Sequence, residues 1–192
     1  MKYLEEKINM HKEMVDLLDL DSIEKVANAI TECYRNGGKI IIFGNGGSAA
    51  DAIHFAAEFE GQLSSIDNGR KALSALTPFN LSALTAVSND FDYGMSFTRF
   101  VEANAKKGDI VIGISTSGNS KNVISAISIA KRIGAVTIGF TGNKGGSMKD
   151  LVDILLDIPA LNVSIIQEGH IISYHRVCAL VIKDLFGYDA LR

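Results

Sequence analysis

KIIIFGNGGSAADAIHFAAEFEG, Lys39 to Gly61, reads as a buried strand, a glycine-rich turn and a helix, and the rest of the chain is organised around that unit. Lys39 to Phe43 is a short run rich in β-branched residues, the pattern of a strand covered on both faces. Gly44, Gly46 and Gly47 then give the turn conformations that side chains would forbid. Ser48 is the expected N-cap, and Asp51 in the first turn complements the helix dipole. In this reading the backbone N–H groups around Gly46, Gly47 and Ser48 face outward unpaired, a site suited to phosphate. His54 and Glu58 are four apart and share one face of the helix.

Gly44, Gly46 and Ala49 also fit the dinucleotide pattern G-x-G-x-x-A, which wants an acidic residue closing the next strand to hold a ribose. The next strand-like run, Lys71 to Leu76, closes in Thr77-Pro78, and Asp67 precedes it. That argues against a dinucleotide.

The 192 residues are enough for one α/β domain with a sizeable core, and 47% hydrophobic with 21% charged residues are globular values. A net charge of -3 advertises neither nucleic acid nor an anionic membrane surface as partner. Cys33 and Cys178 stand in no metal or redox spacing and read as buried thiols of a reducing compartment. Lys2, Glu5, Glu6 and Lys7 leave no apolar signal region, and no uncharged run is long enough to cross a bilayer. The expected location is the cytoplasm.

Residues 1–36 read as two helices. Leu4, Ile8, Met14, Val15, Leu17 and Leu18 form one apolar pattern, and Ile23, Val26, Ala27 and Ile30 a second, with a restart at Asp21-Ser22 and an end at Gly37-Gly38. The first helix lies outside the first strand and packs either on this domain or on another subunit. Beyond the opening motif, Ser64 to Arg70 reads as a polar loop. Lys71 to Leu76 reads as a strand, Asn80 to Ser88 as a helix closed by Asn89-Asp90, and Asp92 to Lys106 as another helix.

DIVIGISTSGNSKN, Asp109 to Asn122, repeats the opening logic. A buried strand, Ile110 to Ile114, runs into Ser115, Thr116, Ser117, Gly118, Asn119 and Ser120, and a helix follows to Gly134. Hydroxyls and backbone N–H groups converging at a helix N-terminus can hold phosphate without an arginine. Ala135 to Phe140 is a further strand, Ser147 to Val152 a short helix, Asp153 to Ile158 a last strand, and Val163 to Phe186 a long helix. Alternating strands and helices with no linker argue one α/β domain, a parallel sheet of about five strands with helices on both faces.

The last helix carries Gln167, Glu168, His170 and His175 among apolar residues. Gln167 and His175 are eight apart and share a side loosely, whereas Glu168 and His175, seven apart, align better. Periodicity alone therefore selects Glu168 as the partner of His175.

FGNGGSAADAIHFAAEFEG, SND, GISTSGNS and IIQEGHIISYH, in this order and spacing, resemble the phosphoheptose isomerases of the sugar isomerase (SIS) domain family, over nearly the whole chain. GNGGS and STSGNS mark phosphosugar-binding SIS domains in general, and HFAAEF with QE-x-H-x4-H is the more specific part. The resemblance implies a flavodoxin-like three-layer sandwich, a homotetramer and zinc in the active site. It implies conversion of D-sedoheptulose 7-phosphate to D-glycero-D-manno-heptose 7-phosphate, the first step toward heptose for lipopolysaccharide or capsule.

Carried over by motif, His54, Glu58, Gln167 and His175 match the zinc ligands, and Glu58 and His175 also match the catalytic acid/base pair. Asn45, Gly46, Gly47, Ser48, Glu58, Asn89, Asp90, Ser115, Thr116, Ser117, Ser120 and Gln167 match substrate contacts. The resemblance thus selects Gln167 where helical spacing selects Glu168. Gln62 and Ser164 depart from it, standing where an arginine and an aspartate are usual, which bears on the identity of the sugar.

The residues suit the implied chemistry. Moving a carbonyl between C2 and C1 takes a proton from one carbon and returns it to its neighbour through an enediol. A carboxylate and an imidazole from facing helices can divide that work. The alternatives are a catalytically silent SIS relative, such as a replication-initiator-associating protein, or an isomerase of another phosphosugar. Retention of Glu58 and His175 favours an enzyme.

Overall fold

The computed structural model describes residues 1–63 and 69–188. In chain order the elements are α1 (Lys2–Asp16), α2 (Leu20–Arg35), β1 (Ile40–Gly44), α3 (Gly47–Glu60), β2 (Ala75–Leu76), α4 (Leu81–Asp90) and α5 (Thr98–Asn104). They continue with β3 (Ile110–Ser115), α6 (Lys121–Ile133), β4 (Val136–Gly142), β5 (Ile154–Ile158) and α7 (Val163–Phe186).

The five strands form one parallel sheet in the order β2-β1-β3-β4-β5, with Ile42 opposite Ile112 and Ile112 opposite Ile138. This is the doubly wound order of flavodoxin-like folds. Every residue of β1 and β3 is buried, so these strands read as continuous apolar runs rather than alternating ones. Successive side chains point to opposite faces. Ile40, Ile42, Ile110, Ile112 and Ile114 meet Val26 and Ile30 of α2, Phe55 and Phe59 of α3 and Val177 and Val181 of α7. Ile41, Phe43 and Val111 meet Phe97 and Val101, and Val123, Ile127 and Ala130 of α6, on the other side. The result is the expected three-layer sandwich of about five parallel strands.

Several boundaries differ from expectation. The strand expected over Lys71 to Leu76 shrinks to Ala75–Leu76, because its partner β1 begins only at Ile40, opposite Ala75. Helix α2 restarts two residues earlier than Asp21-Ser22. Asp19 is its cap, its carboxylate accepting from the amides of Asp21 and Ser22. The helix expected over Asp92 to Lys106 is broken. The Asp92 carboxylate takes the Gly94 amide into a 3-10 turn at Tyr93–Met95, and α5 starts only at Thr98. The helix expected over Ser147 to Val152 is a single 3-10 turn, Gly146–Met148, whose Met148 amide bonds the Gly118 carbonyl. Most of the polar loop expected at Ser64 to Arg70, with Asp67, lies outside the described residues.

Helix α1 is the least committed element. Met14 is its one buried residue, whereas Tyr3, Leu4, Ile8 and Leu17 are exposed. No helix among the described residues is long and apolar enough to cross a membrane.

Candidate active site

In open parallel sheets, ligands sit outside the carboxyl ends of the strands where the winding reverses. Here that point lies between β1 and β3, so the loops after Gly44 and after Ser115 flank one crevice. Both glycine- and hydroxyl-rich motifs fall there.

After β1, Gly46 adopts φ 57° and is itself the N-cap of α3, so no side chain caps that helix. Gly46 and Gly47 are exposed there, with α3 running away from them. Ser48 is not the cap. It is buried at 4% exposure, and its amide bonds the Asn45 carbonyl at 3.0 Å. The tight Gly46 turn starts the helix two residues earlier than a serine cap would. Asp51 accordingly sits past the first turn, buried at 6% exposure, where it offers no dipole compensation at the surface.

Asn45 is clamped. Its Nδ2 donates to Asn122 Oδ1 at 2.9 Å, and its Oδ1 accepts from Asn122 Nδ2 at 2.9 Å and from Tyr93 Oη at 2.8 Å. Asn122 also donates to Ser96 Oγ at 3.0 Å. This network ties the first loop to the first turn of α6. Asn122 has a sequence signal only in hindsight, a buried amide one residue into a helix that follows a polar loop.

After β3, Ser115 Oγ lies 2.9 Å from Ser120 Oγ and 3.5 Å from Ser117 Oγ. Ser120 is the N-cap of α6 but makes no capping bond; Asn122 Oδ1 takes the Val123 amide at 3.0 Å, and the Lys121 and Asn122 amides have no side-chain cap among the described residues. Asn119 shapes the loop. Its Oδ1 accepts from the amide and hydroxyl of Ser147, and its Nδ2 donates to the Ser117 carbonyl. Gly118, at φ 64°, lies so close to Gly145 that an added Cβ would stand 2.0 Å from its carbonyl oxygen. The Thr116 carbonyl is taken by the Gly142 amide at 3.0 Å.

Helices α3 and α7 supply a second group. His54 Nε2 is 3.0 Å from Glu58 Oε1, as the i, i+4 spacing requires. The His54 and His175 rings lie 5.0 Å apart. One ligand atom each from His54, Glu58 and His175 falls within 4.8 Å of the others. Burial holds His175 below its ordinary protonation range, partly offset by Glu58. His54 Nδ1 bonds Tyr174 Oη at 2.8 Å. Tyr174 carried no sequence signal, since an aromatic on an apolar helix reads as core.

Gln167 and Glu168 face different ways. Gln167 lies on Gly47, where an added Cβ would meet its Nε2 at 2.2 Å. Glu168 turns to α1 and pairs with His11 at 2.9 Å. Periodicity therefore selected the wrong residue for the α3 side. No hydrogen bond among the described residues joins Gln167 to the His54 group, and Gly47 precedes His54 by about 10 Å of helix. Asn89 and Asp90 are exposed at the end of α4, where Asn89 Nδ2 bonds Asp90 Oδ1 at 2.8 Å. Ser164 is spent on the start of α7, bonding the Asn162 side chain. Gln62 is exposed just past α3.

The charge balance at the His54 group is uneven. Burial pushes the Asp51 carboxyl up to about 6, and its Oδ2 has no hydrogen-bond partner among the described residues. A cavity of about 350 Å³ lies beside Asn45, Tyr93 and Ser120, while larger ones of about 580 and 540 Å³ run along α1 and α7. The smaller one lies between the two motif loops.

The fold and site define a doubly wound, parallel α/β domain with two anion-ready loops at its switch point and a His/Glu/His group on α3 and α7. The chain matches the SIS domain family over residues 2–142. It is 48% identical over 181 residues to a probable phosphoheptose isomerase of Thermoplasma acidophilum, covering 94% of this chain and 96% of that one. It is 47% identical over 165 residues to the phosphoheptose isomerase of Aliarcobacter butzleri, covering 86% of each. Phosphoheptose isomerase structures from Neisseria gonorrhoeae and Francisella tularensis superpose with TM-scores of 0.84 and 0.86. Their identities are 37% and 31%, and the matches cover 94% of this chain and 95% and 94% of theirs. The chain belongs to the phosphoheptose isomerase family of SIS domains.

Proposed function

We propose that the chain is an aldose-ketose isomerase. It converts D-sedoheptulose 7-phosphate to D-glycero-D-manno-heptose 7-phosphate, feeding heptose into lipopolysaccharide or capsule. The observation that carries this is the meeting of His54, Glu58 and His175 from two helices, within 4.8 Å, in a chain whose β1 and β3 loops meet at the switch point.

The phosphate sits in the loop of Ser115, Thr116, Ser117 and Ser120 at the uncapped start of α6. The exposed amides of Gly46 and Gly47 and the clamped Asn45 hold the sugar, with Asn89 and Asp90 at the rim. Binding energy from that remote phosphate orients the reacting carbons. Glu58 takes the proton from one carbon and returns it to the next, and His175 exchanges the hydroxyl proton. Burial keeps His175 neutral near pH 7, as a group that must first accept a proton requires.

The residues fit zinc. Two imidazoles and a carboxylate are an ordinary zinc donor set, and one ligand atom of each already lies within 4.8 Å of the others. The unpaired carboxyl oxygen of Asp51 nearby favours a cation. His54, Glu58 and His175 would hold the ion. Gln167, which lies on Gly47, is the fourth ligand that the family likeness implies. The metal would supply Lewis-acid polarisation of the substrate oxygens.

The working form is a homotetramer of single-domain chains, 1–192, in the cytoplasm, with residues 1–36 packing in the oligomer and neither nucleic acid nor membrane as partner. The exposed Tyr3, Leu4, Ile8 and Leu17 support that packing. Turnover over a panel of ketose phosphates, with and without zinc, tests the reading. Preference for the seven-carbon ketose supports it, and turnover of shorter sugars alone replaces the substrate.

A further inference from the structure

The Tyr174 hydroxyl sits on the one ring nitrogen of His54 that does not face Glu58. Tyr174 is fully buried, stacked on Phe55 at 5.0 Å, and edge-on to both His54 and His175, at 5.5 and 5.0 Å. With the two imidazoles 5.0 Å apart, the three rings form a triangle in which each meets the other two. Its hydroxyl reaches His54 Nδ1 at 2.8 Å while His54 Nε2 reaches Glu58 at 3.0 Å. Both nitrogens of His54 are therefore assigned partners by the fold.

We propose that Tyr174 is a positioning residue that sets the tautomer of His54 and thereby the metal affinity of the site. The proposal rests on the zinc reading above. A neutral imidazole carries one N–H, and the other nitrogen offers a lone pair. When Tyr174 donates to Nδ1, the proton of His54 stands on Nε2 and bonds Glu58, a closed chain that needs no metal. For Nε2 to ligate, the proton must move to Nδ1, and the Tyr174 oxygen must then accept it. A phenol can play either part by rotating its O–H, so one residue serves both states without moving its ring. Partners of this kind on the outer nitrogen of a metal-bound histidine are worth about 10–100-fold in affinity.

The test is zinc competition against a chromophoric chelator, with the wild type and Tyr174→Phe. The variant keeps the stacked ring and loses only the hydroxyl. The expected result is about 10-fold weaker zinc binding in the variant, with the melting temperature of the metal-free protein changed little. Equal zinc affinity overturns the role of Tyr174 and leaves the metal centre standing. A wild type that binds no zinc overturns both. Nitrogen-15 spectra of the wild-type histidine rings supply a second readout that does not depend on the variant folding. Zinc-loaded protein should show a slowly exchanging Nδ1 proton on His54. A proton on Nε2 in that state contradicts the proposal.

Discussion

At the residue scale, the proposed chemistry rests on Glu58 and His175. Glu58→Gln keeps the shape and removes the base, so turnover should fall by about 100-fold or more while the fold survives. His175→Gln should do the same, and near-normal turnover in both would disprove the assigned roles. His170 is a different kind of histidine. It is fully buried, Nε2 donates to the Thr141 carbonyl at 3.0 Å, Nδ1 has no partner among the described residues, and burial pushes it down to about 4 from 6.5. Between those values the unfolded chain binds a proton that the folded chain refuses. Stability from this residue is therefore full above pH 6.5 and lost as pH falls toward 4, by about 3 kcal/mol. Asp51, raised to about 6 from 3.8, works the other way over most of that window, so the wild type alone does not isolate the effect. His170→Gln keeps a donor for Thr141 and should lose less stability between pH 7 and pH 4 than the wild type does. Denaturant titrations at the two pH values measure it, and equal losses would refute it. Residues also show where sequence reading stops. The His54–Glu58 contact follows from i, i+4 spacing. The choice of Gln167 over Glu168 does not, because it depends on how α7 is rotated against both α3 and α1.

At the scale of elements, the strand-turn-helix units of β1 and β3 were legible because their glycines and hydroxyls sit between an apolar run and a helical pattern. Their internal wiring was not. The Asn45–Asn122 clamp joins residues 77 apart, and the Asn119–Ser147 staple joins residues 28 apart, so no local window contains either pair. Helix ends failed where a single side chain overrode periodicity, as Asp92 does at Gly94. The serine loop carries its own prediction. Ser117 accepts from the Asn119 amide at 3.1 Å and faces outward, so Ser117→Ala removes one donor and loosens the loop. A neutral hydrogen bond is worth about 0.5–1.5 kcal/mol, which predicts roughly 2- to 12-fold weaker binding of sugar phosphate by calorimetry. An unchanged binding constant for both sugar phosphate and free phosphate would move the phosphate elsewhere.

At the scale of the whole molecule, the parallel sheet and its order position everything else. Both motif loops meet because β1 and β3 are neighbours, and α3 and α7 meet because both cover the same face of the sheet. Helix α1 is where the single chain leaves apolar surface uncovered, with Leu4 at 65% and Leu17 at 67% exposure. Light scattering should give the mass of four chains, and removal of residues 1–19 should lower it. A full-length monomer at working concentration would refute the tetramer, and an unchanged mass after truncation would put α1 outside the interface. The central claim is that this site moves a carbonyl by way of an enediol. Its most direct test is proton NMR of sedoheptulose 7-phosphate incubated with the zinc-supplied protein in deuterium oxide. The account predicts heptose 7-phosphate carrying solvent deuterium at C2. Unaltered sedoheptulose 7-phosphate, with no deuterium gained at carbon, would contradict it.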